Sequence, residues 1–369
     1  MKIALLIDSL GFGGAQRQMA NLAIELKNAG HDVLFLRYRA DDFYLPLLQR
    51  AEIQPVLVGG SNLVTRALQI RKNLREYRPE IVVSFMDASN FYAALASFGK
   101  HTWKLIIGER ISNPARFTSR QGKVLKWVME NRADAISCNS KSSEELWRKY
   151  YPRSEKKLCT IYNIVDVPQV DAKPANDGKT RFLVAARYEK EKNLFGVIEA
   201  IRTLTCEERE KMELHWFGKA NIGADGESPQ EKAKALIKEY GLESCLYLHP
   251  ATDKIHEEMA KVDFVSLFSF MEGLPNAILE GMALKKPIVM SKVSDYAVLV
   301  DETNGFCCDP ASAEDMAAAI RSAINTTPEQ RQAMGQKSYE KIQKVCSREA
   351  VVAQWTALID VTTRHSSCD

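Results

Sequence analysis

The chain has 369 residues, of which 46% are apolar and 26% charged, with a formal net charge of +3. That length exceeds one ordinary α/β core, and the composition is that of a globular protein. No apolar run reaches the roughly 18 residues needed to span a bilayer, which argues against an integral membrane protein.

The elements follow in chain order. Met1–Ser9 is a short apolar strand, Leu10–Ala15 a glycine loop, and Gln16–Ala29 a helix with apolar spacing at Met19, Leu22, Ala23 and Leu26. Gly30 ends it and the strand His31–Tyr38 follows, completing a βαβ unit with a phosphate-sized loop. A dinucleotide fingerprint needs a third glycine where Gln16 stands, and an acid where Arg37, Tyr38 and Arg39 stand, so a nicotinamide site is disfavoured. On its own, the loop is equally readable as a turn that needs glycine for its backbone angles.

Further strands are expected at Glu80–Phe85, Lys104–Gly108, Ala135–Asn139, Arg181–Ala186, Glu213–Phe217, Cys245–His249, Asp263–Phe268 and Pro287–Ser291, with helical runs between them. Alternation of this kind predicts a doubly wound parallel sheet, made twice. The stretch Asn163–Lys179, rich in Asp, Pro and Asn, reads as the linker, and Arg348–Thr363 as a last helix.

Charge is divided unevenly. Residues 1–165 hold 25 Lys/Arg against 15 Asp/Glu, and the remainder 25 against 32. A basic first half points to an anionic partner. Arg116, Arg120, Lys123 and Lys126 are spaced for one flank of a helix over Arg116–Arg132, with Val124, Trp127 and Val128 nearby. Such a helix can lie on an acidic membrane, or be a solvated helix with a buried apolar stripe. No nucleic-acid motif accompanies the charge.

Two constellations carry chemistry. In Val184–Asn193, Arg187 and Lys192 stand five residues apart in a strand-to-helix loop, where a guanidinium and an ammonium can clamp a diphosphate. In Glu272–Glu280, two carboxylates flank the turn Gly273-Leu274-Pro275-Asn276 after the buried run Val262–Phe270. Glu272 is expected at the lip of that turn and Glu280 about two helical turns on, on roughly the same face. Read separately, these are also loop charges, a solvated Glu and a capping Glu.

Together, R-x-x-x-x-K on a strand–helix loop and E-x-x-x-x-x-x-x-E about 80 residues later resemble retaining glycosyltransferase family 4, "glycosyl transferases group 1", of the GT-B fold. The resemblance runs along the whole chain. It implies an α/β fold of two Rossmann-like doubly wound parallel-sheet domains facing across a cleft. These are an acceptor-side domain over 1–165, a nucleotide-sugar-binding domain over 166–345, and a C-terminal helix in 346–369 that crosses back to the first domain. It further implies transfer of a sugar from a nucleotide-diphosphate sugar, a UDP-sugar above others, to a glycan acceptor with retained anomeric configuration. Arg187 and Lys192 neutralise the leaving diphosphate, Glu272 holds donor-sugar hydroxyls beside Gly273, Leu274, Pro275 and Asn276, and Glu280 accepts from the ribose. Gly13 and Gly14 face the donor diphosphate. No metal and no cofactor are expected, since no D-x-D motif stands in a suitable setting and Asp41-Asp42 lies in a loop. The acceptor implied is lipid-linked, in surface polysaccharide or glycoprotein glycan assembly. Arg116, Arg120, Lys123 and Lys126 then face that acceptor or the anionic membrane.

One departure stands out. Many relatives carry a His after the strand that ends here in Ser84-Phe85-Met86-Asp87, and this chain has none. Asp87 or Asn90 are candidate replacements, and Glu109 and Arg110 candidates for the cleft floor. His249 and His256 lack partner spacing and are read as non-catalytic. A nucleotide-sugar epimerase and a non-catalytic sugar-nucleotide-binding protein share the architecture and remain open. Eight cysteines without a C-x-x-C pair, and Met1 running straight into a core strand, predict a reducing, cytoplasmic setting, at most peripheral to a membrane.

Overall fold

The computed structural model describes residues 1–170, 172–175, 177–220 and 228–364. The chain divides into two compact units, one of Met1–Ile164 with the C-terminal segment from Arg348, the other of Val165–Ser347. Positions 171 and 176 of the expected linker, and Cys368, lie outside the described residues.

The first unit holds seven strands: β1 (Lys2–Ile7), β2 (Asp32–Arg37), β3 (Val56–Leu57), β4 (Ile81–Phe85), β5 (Lys104–Glu109), β6 (Ala135–Cys138) and β7 (Leu158–Thr160). Their order is β3-β2-β1-β4-β5-β6-β7, every pairing parallel. The central strands are buried on both faces, so they read as unbroken runs such as Ile81-Val82-Val83 rather than alternating ones. Helix Gly14–Asn28 covers one face through Met19, Leu22, Ala23 and Leu26. Helix Arg348–Arg364 inserts Val351, Trp355 and Ile359 into the same core. Gln18 is a buried polar group in that first helix, and its amide is satisfied twice by one residue. It donates to the Ile164 carbonyl at 2.8 Å and accepts from the Ile164 N–H at 2.7 Å.

The second unit holds β8 (Thr180–Ala185), β9 (Met212–Gly218), β10 (Leu246–Pro250), β11 (Phe264–Leu267), β12 (Ile288–Ser291) and β13 (Gly305–Cys308). The order is β10-β9-β8-β11-β12-β13, again wholly parallel. Phe182, Leu214, Trp216 and Phe264 fill one face with Val197, Ile201 and Ile320 from flanking helices. The helix Asn276–Ala283 lies so close on β11 that a Cβ on Gly281 would stand 2.6 Å from the Val265 side chain. Glycine at that position brings the helix, and Glu280 with it, down onto the sheet.

The chain therefore folds as two Rossmann-like parallel-sheet units. Strands β3, β7 and β13 were not foreseen. The basic segment is a correction: Ser119, extended at φ −63° and ψ 152°, separates a short turn Ala115–Thr118 from the helix Arg120–Arg132, and its hydroxyl caps the latter at Gly122 N–H. Arg116 and the other three basic residues thus belong to different elements. Seven cysteines are described and all are free. No described helix is long and apolar enough to cross a membrane.

Candidate functional site

The site of the second unit forms where the loops after β8 and β11 meet. After β8 the chain runs through Arg187 to a single 3₁₀ turn, Lys190–Lys192, which ends at Asn193 in the left-handed conformation, φ 63°. Asn193 is buried, and its amide donates to the carbonyls of Phe268 at 3.1 Å and Pro310 at 2.8 Å. It therefore ties this loop to the ends of β11 and β13. Nothing in the spacing of the motif announces that role; an Asn at the junction of a charged loop and an apolar helix is the one available signal. A second tie is the Phe270 N–H, which donates to the Glu191 carbonyl at 2.9 Å.

These ties bring Lys192 to Glu272. Its ammonium stands 2.6 Å from Glu272 Oε1, and the Ser269 hydroxyl donates to the same oxygen at 2.7 Å. Both charged side chains are more than four-fifths buried. Ser269 is held in turn by Ser291, whose hydroxyl donates to its carbonyl at 2.7 Å. Glu272 Oε1 is thus saturated on the protein side, while Oε2 has no partner among the described residues and keeps its lone pairs for a hydroxyl. Lys192 keeps two further N–H donors.

Arg187 behaves differently. Its side chain is 61% exposed and pairs with Glu189 at 2.8 Å, apart from the Lys192–Glu272 contact. Leu274 and Pro275 are buried, so their side chains pack inward. The Ser294 hydroxyl holds the Gly273 carbonyl. The helix begins at Asn276, with Pro275 as its cap residue. Glu272 therefore stands at the lip of the turn, before the helix, and Glu280 lies on the helix, as expected.

Glu280 is buried, and His256 Nε2 stands 3.1 Å from its Oε2. His256 was read as non-catalytic for want of a spaced partner; the partner lies 24 residues on, beyond the reach of a local pattern. His249 instead stacks with Phe217 and His215 on β9 and β10.

In the first unit, Gly13 caps the helix Gly14–Asn28 with an extended backbone, φ −168°, so positive φ is not the reason for glycine there. A Cβ at Gly13 would meet Gln16 Oε1, and Gln16 donates to Asp8 at 3.0 Å. Lys126 overturns its expected surface role. It is 1% exposed, lies 2.7 Å from Asp87, and pairs also with Glu109. Burial opposes its charge, yet these two carboxylates hold it above its ordinary value. Trp147 Nε1 donates to Glu109 as well, at 3.1 Å. Arg116 reaches Asp87 from outside at 3.0 Å. Asp87 and Glu109 are thereby committed to an internal ion cluster. Asn90 is equally committed, accepting from Ser84 at 2.8 Å and donating to the Gly108 carbonyl at 3.0 Å. The basic helix face is left with Arg120 and Lys123, beside Val124 and Trp127, which are 60% and 57% exposed.

Comparison with known proteins adds a family to this geometry. The model of the glycosyl transferases group 1 matches residues 168–341, and that of Glycosyltransferase Family 4 matches residues 12–169. The chain is similar to the N-acetylgalactosamine-N,N'-diacetylbacillosaminyl-diphospho-undecaprenol 4-alpha-N-acetylgalactosaminyltransferase of Campylobacter jejuni, 27% identical over 78% of this chain and 80% of that one. It is also similar to that organism's GalNAc-alpha-(1->4)-GalNAc-alpha-(1->3)-diNAcBac-PP-undecaprenol alpha-1,4-N-acetyl-D-galactosaminyltransferase, 26% identical over 76% and 77%. Among solved structures, Anabaena Alr3699/HepE in complex with UDP and glucose superposes with a TM-score of 0.83 at 18% identity, over 98% of this chain and 100% of that one.

Proposed function

The chain belongs to the GT-B glycosyltransferases of family 4 type, and on that premise we propose that it moves a sugar from a UDP-sugar to a lipid-linked glycan acceptor with retention of configuration, in surface polysaccharide or glycoprotein glycan assembly. The observation that carries the donor half is the Lys192–Glu272 contact, which unites the two sequence motifs in one place. Support for the acceptor half comes from the two Campylobacter relatives, whose names specify undecaprenol-linked diphosphate acceptors.

In this reading the second unit binds the donor. Lys192, and Arg187 from its exposed edge, neutralise the charge that grows on the departing diphosphate. Glu272 Oε2 accepts hydrogen bonds from the sugar hydroxyls while Oε1 is held by Lys192 and Ser269. Glu280 accepts from the ribose, oriented by His256. Gly273–Asn276 supply backbone beside the sugar. The acceptor hydroxyl attacks from the face the leaving group departs, giving its proton to the departing phosphate oxygen. Charge arranged in advance accounts for most of the rate without a metal.

The first unit serves the acceptor. Arg120 and Lys123 with Val124 and Trp127 form a basic and apolar flank suited to an anionic membrane surface at the cytoplasmic face. Lys126 has no part in it.

Thermal-shift measurement against UDP-, GDP- and ADP-sugars tests the donor assignment, because a ligand that binds only the native state raises its melting temperature. A saturable rise with UDP-sugars is expected. A response to none of the three would refute the donor site.

A further inference from the structure

Among the described residues Arg110, directly after β5, is a buried charge without a carboxylate partner. It is 8% exposed, and its Nε and Nη2 are buried without a hydrogen-bond partner. The other buried guanidinium among the described residues is compensated, Arg37 pairing with Asp42, and the partly buried Arg331 pairs with Asp263. Arg110 has no carboxylate partner among the described residues, because the adjacent Glu109 turns to Lys126 and Trp147. Its guanidinium carbon stands over Phe85, 3.6 Å from the ring centroid, with Trp355 at 5.9 Å. Burial pulls it down to about 10 from the usual arginine value. An uncompensated cation in such a place is costly, and it persists where something else repays the cost.

Its position supplies the reason. Arg110 stands at the carboxyl end of β5, and Phe85 ends β4, the neighbouring strand. In open parallel sheets ligands bind outside the carboxyl ends of the strands. Asn139, at the carboxyl end of β6, is 3% exposed and its Oδ1 likewise lacks a partner. Met86, between β4 and its helix, has φ 78° and ψ 141°, a backbone state that a side chain rarely adopts. A donor of fixed positive charge and an unsatisfied acceptor thus stand at the same edge of adjacent strands. That pairing suits a ligand that brings both an oxyanion and a hydroxyl.

We infer that the carboxyl edge of β5 and β6 is a subsite for an acidic group of the acceptor, whose oxyanion is received by Arg110 and a hydroxyl of which is received by Asn139. This inference rests on the acceptor reading of the first unit. The oxyanion has two sources, the diphosphate of a lipid-linked acceptor or the carboxylate of an acidic sugar in its glycan.

The test uses the full chain carrying Lys192→Ala, which disables the donor clamp, with and without Arg110→Met or Arg110→Lys. Inorganic pyrophosphate and methyl glucuronide are titrated by calorimetry and thermal shift. One of the two anions is expected to bind, which identifies the source, and Arg110→Met to weaken it at least tenfold, with Arg110→Lys in between. Without anion, Arg110→Met is expected to melt at or above the temperature of its parent, since a buried unpaired charge has been removed. Equal anion affinity in parent and Arg110→Met, or no binding of either anion to the parent, overturns the inference. A lower melting temperature for Arg110→Met with no change in anion binding assigns the residue to stacking on Phe85 alone. UDP affinity, measured with Lys192 intact, is expected to survive Arg110→Met. If UDP fails to bind the wild type, the donor reading falls while the anion result still stands by itself.

Discussion

In the proposed reading Lys192 and Glu272 are the residues on which the chemistry turns, and each is placed by its contact with the other. Lys192→Ala removes the ammonium from the leaving diphosphate and strands a carboxylate that is 13% exposed. Turnover is expected to fall by two or more orders of magnitude, about 3 kcal/mol of transition-state stabilisation. Near-native turnover in that variant removes the assignment. The second carboxylate separates from the first by its effect on binding. Glu280→Ala is expected to weaken affinity for free UDP, and His256→Leu to do so by a smaller factor that His256→Gln restores, while Glu272→Ala spares UDP affinity and impairs sugar transfer. Calorimetry with UDP on the four variants checks this, and the reverse order for the two glutamates contradicts it.

Lys286 offers a test of the second unit's interior at the same scale. Its ammonium is buried against the carbonyls of Ala260 at 2.7 Å and Val262 at 2.8 Å, and burial pulls it from 10.5 to about 8. Between those values the unfolded chain holds a proton that the native chain lacks, so this group makes stability rise with pH. The rise approaches roughly 3 kcal/mol across the interval. Urea unfolding from pH 7.5 to 10 is expected to show a steeper upward trend for wild type than for Lys286→Met. Equal trends refute the burial argument.

At the scale of elements, legibility followed burial. Strands of five or six apolar residues were evident because a parallel sheet covered on both faces needs such runs; β5 begins where expected and ends one residue later, at Glu109. The two-residue β3 and the strand Gly305–Cys308 carry too little apolar periodicity to be seen. Helix Leu194–Thr203 begins where the apolar spacing does, just after Asn193. The basic segment misled for a physical reason. Helical spacing assigns Lys126 to the flank of Arg120 and Lys123, but the two acids that draw it inward are Asp87 and Glu109, 39 and 17 residues away. Long-range pairing of this kind leaves no local signature. In the candidate site, the types and spacing of Arg187, Lys192, Glu272 and Glu280 were legible, whereas Ser269, Asn193 and His256 were not, because each acts across loops distant in sequence.

The corrected helix face changes how membrane binding is to be tested. Neutralising Lys126 would leave the buried Glu109 carboxylate without a cation and Asp87 with Arg116 alone, and so destabilise the unit rather than report on lipid. The informative variant is Arg120→Gln with Lys123→Gln and Trp127→Ser, all on exposed positions. Two basic side chains at roughly 1 kcal/mol each, and the lost indole, predict a fall in flotation with phosphatidylglycerol vesicles of more than tenfold at low salt. Hydrolysis of the donor is expected to be unchanged. Equal flotation of both proteins, or none by wild type, favours an acceptor reached from solution.

At the scale of the molecule, the chain carries two parallel sheets, of seven and six strands, to which the proposed reading gives the acceptor and the donor respectively. Lys and Arg are shared equally, 25 and 25, but acidic residues number 15 in 1–165 and 32 beyond, so the first stretch is net basic, in keeping with the anionic acceptor proposed for the first unit. The final helix is a structural part of that unit, since Trp355 is 3% exposed within its core. Removing residues from Arg348 onward is therefore a change to the first unit's core and not the trimming of a tail.

Retaining transfer from a UDP-sugar leaves its mark in the anomeric configuration of the product. Purified protein, a UDP-α-sugar and an undecaprenyl-diphosphate-linked glycan are incubated together, and the product is examined by nuclear magnetic resonance. Retaining transfer gives an α-linked product with release of UDP, dependent on the acceptor. A β-linked product would contradict retention, and conversion of the nucleotide sugar to an epimer without acceptor would contradict transfer itself.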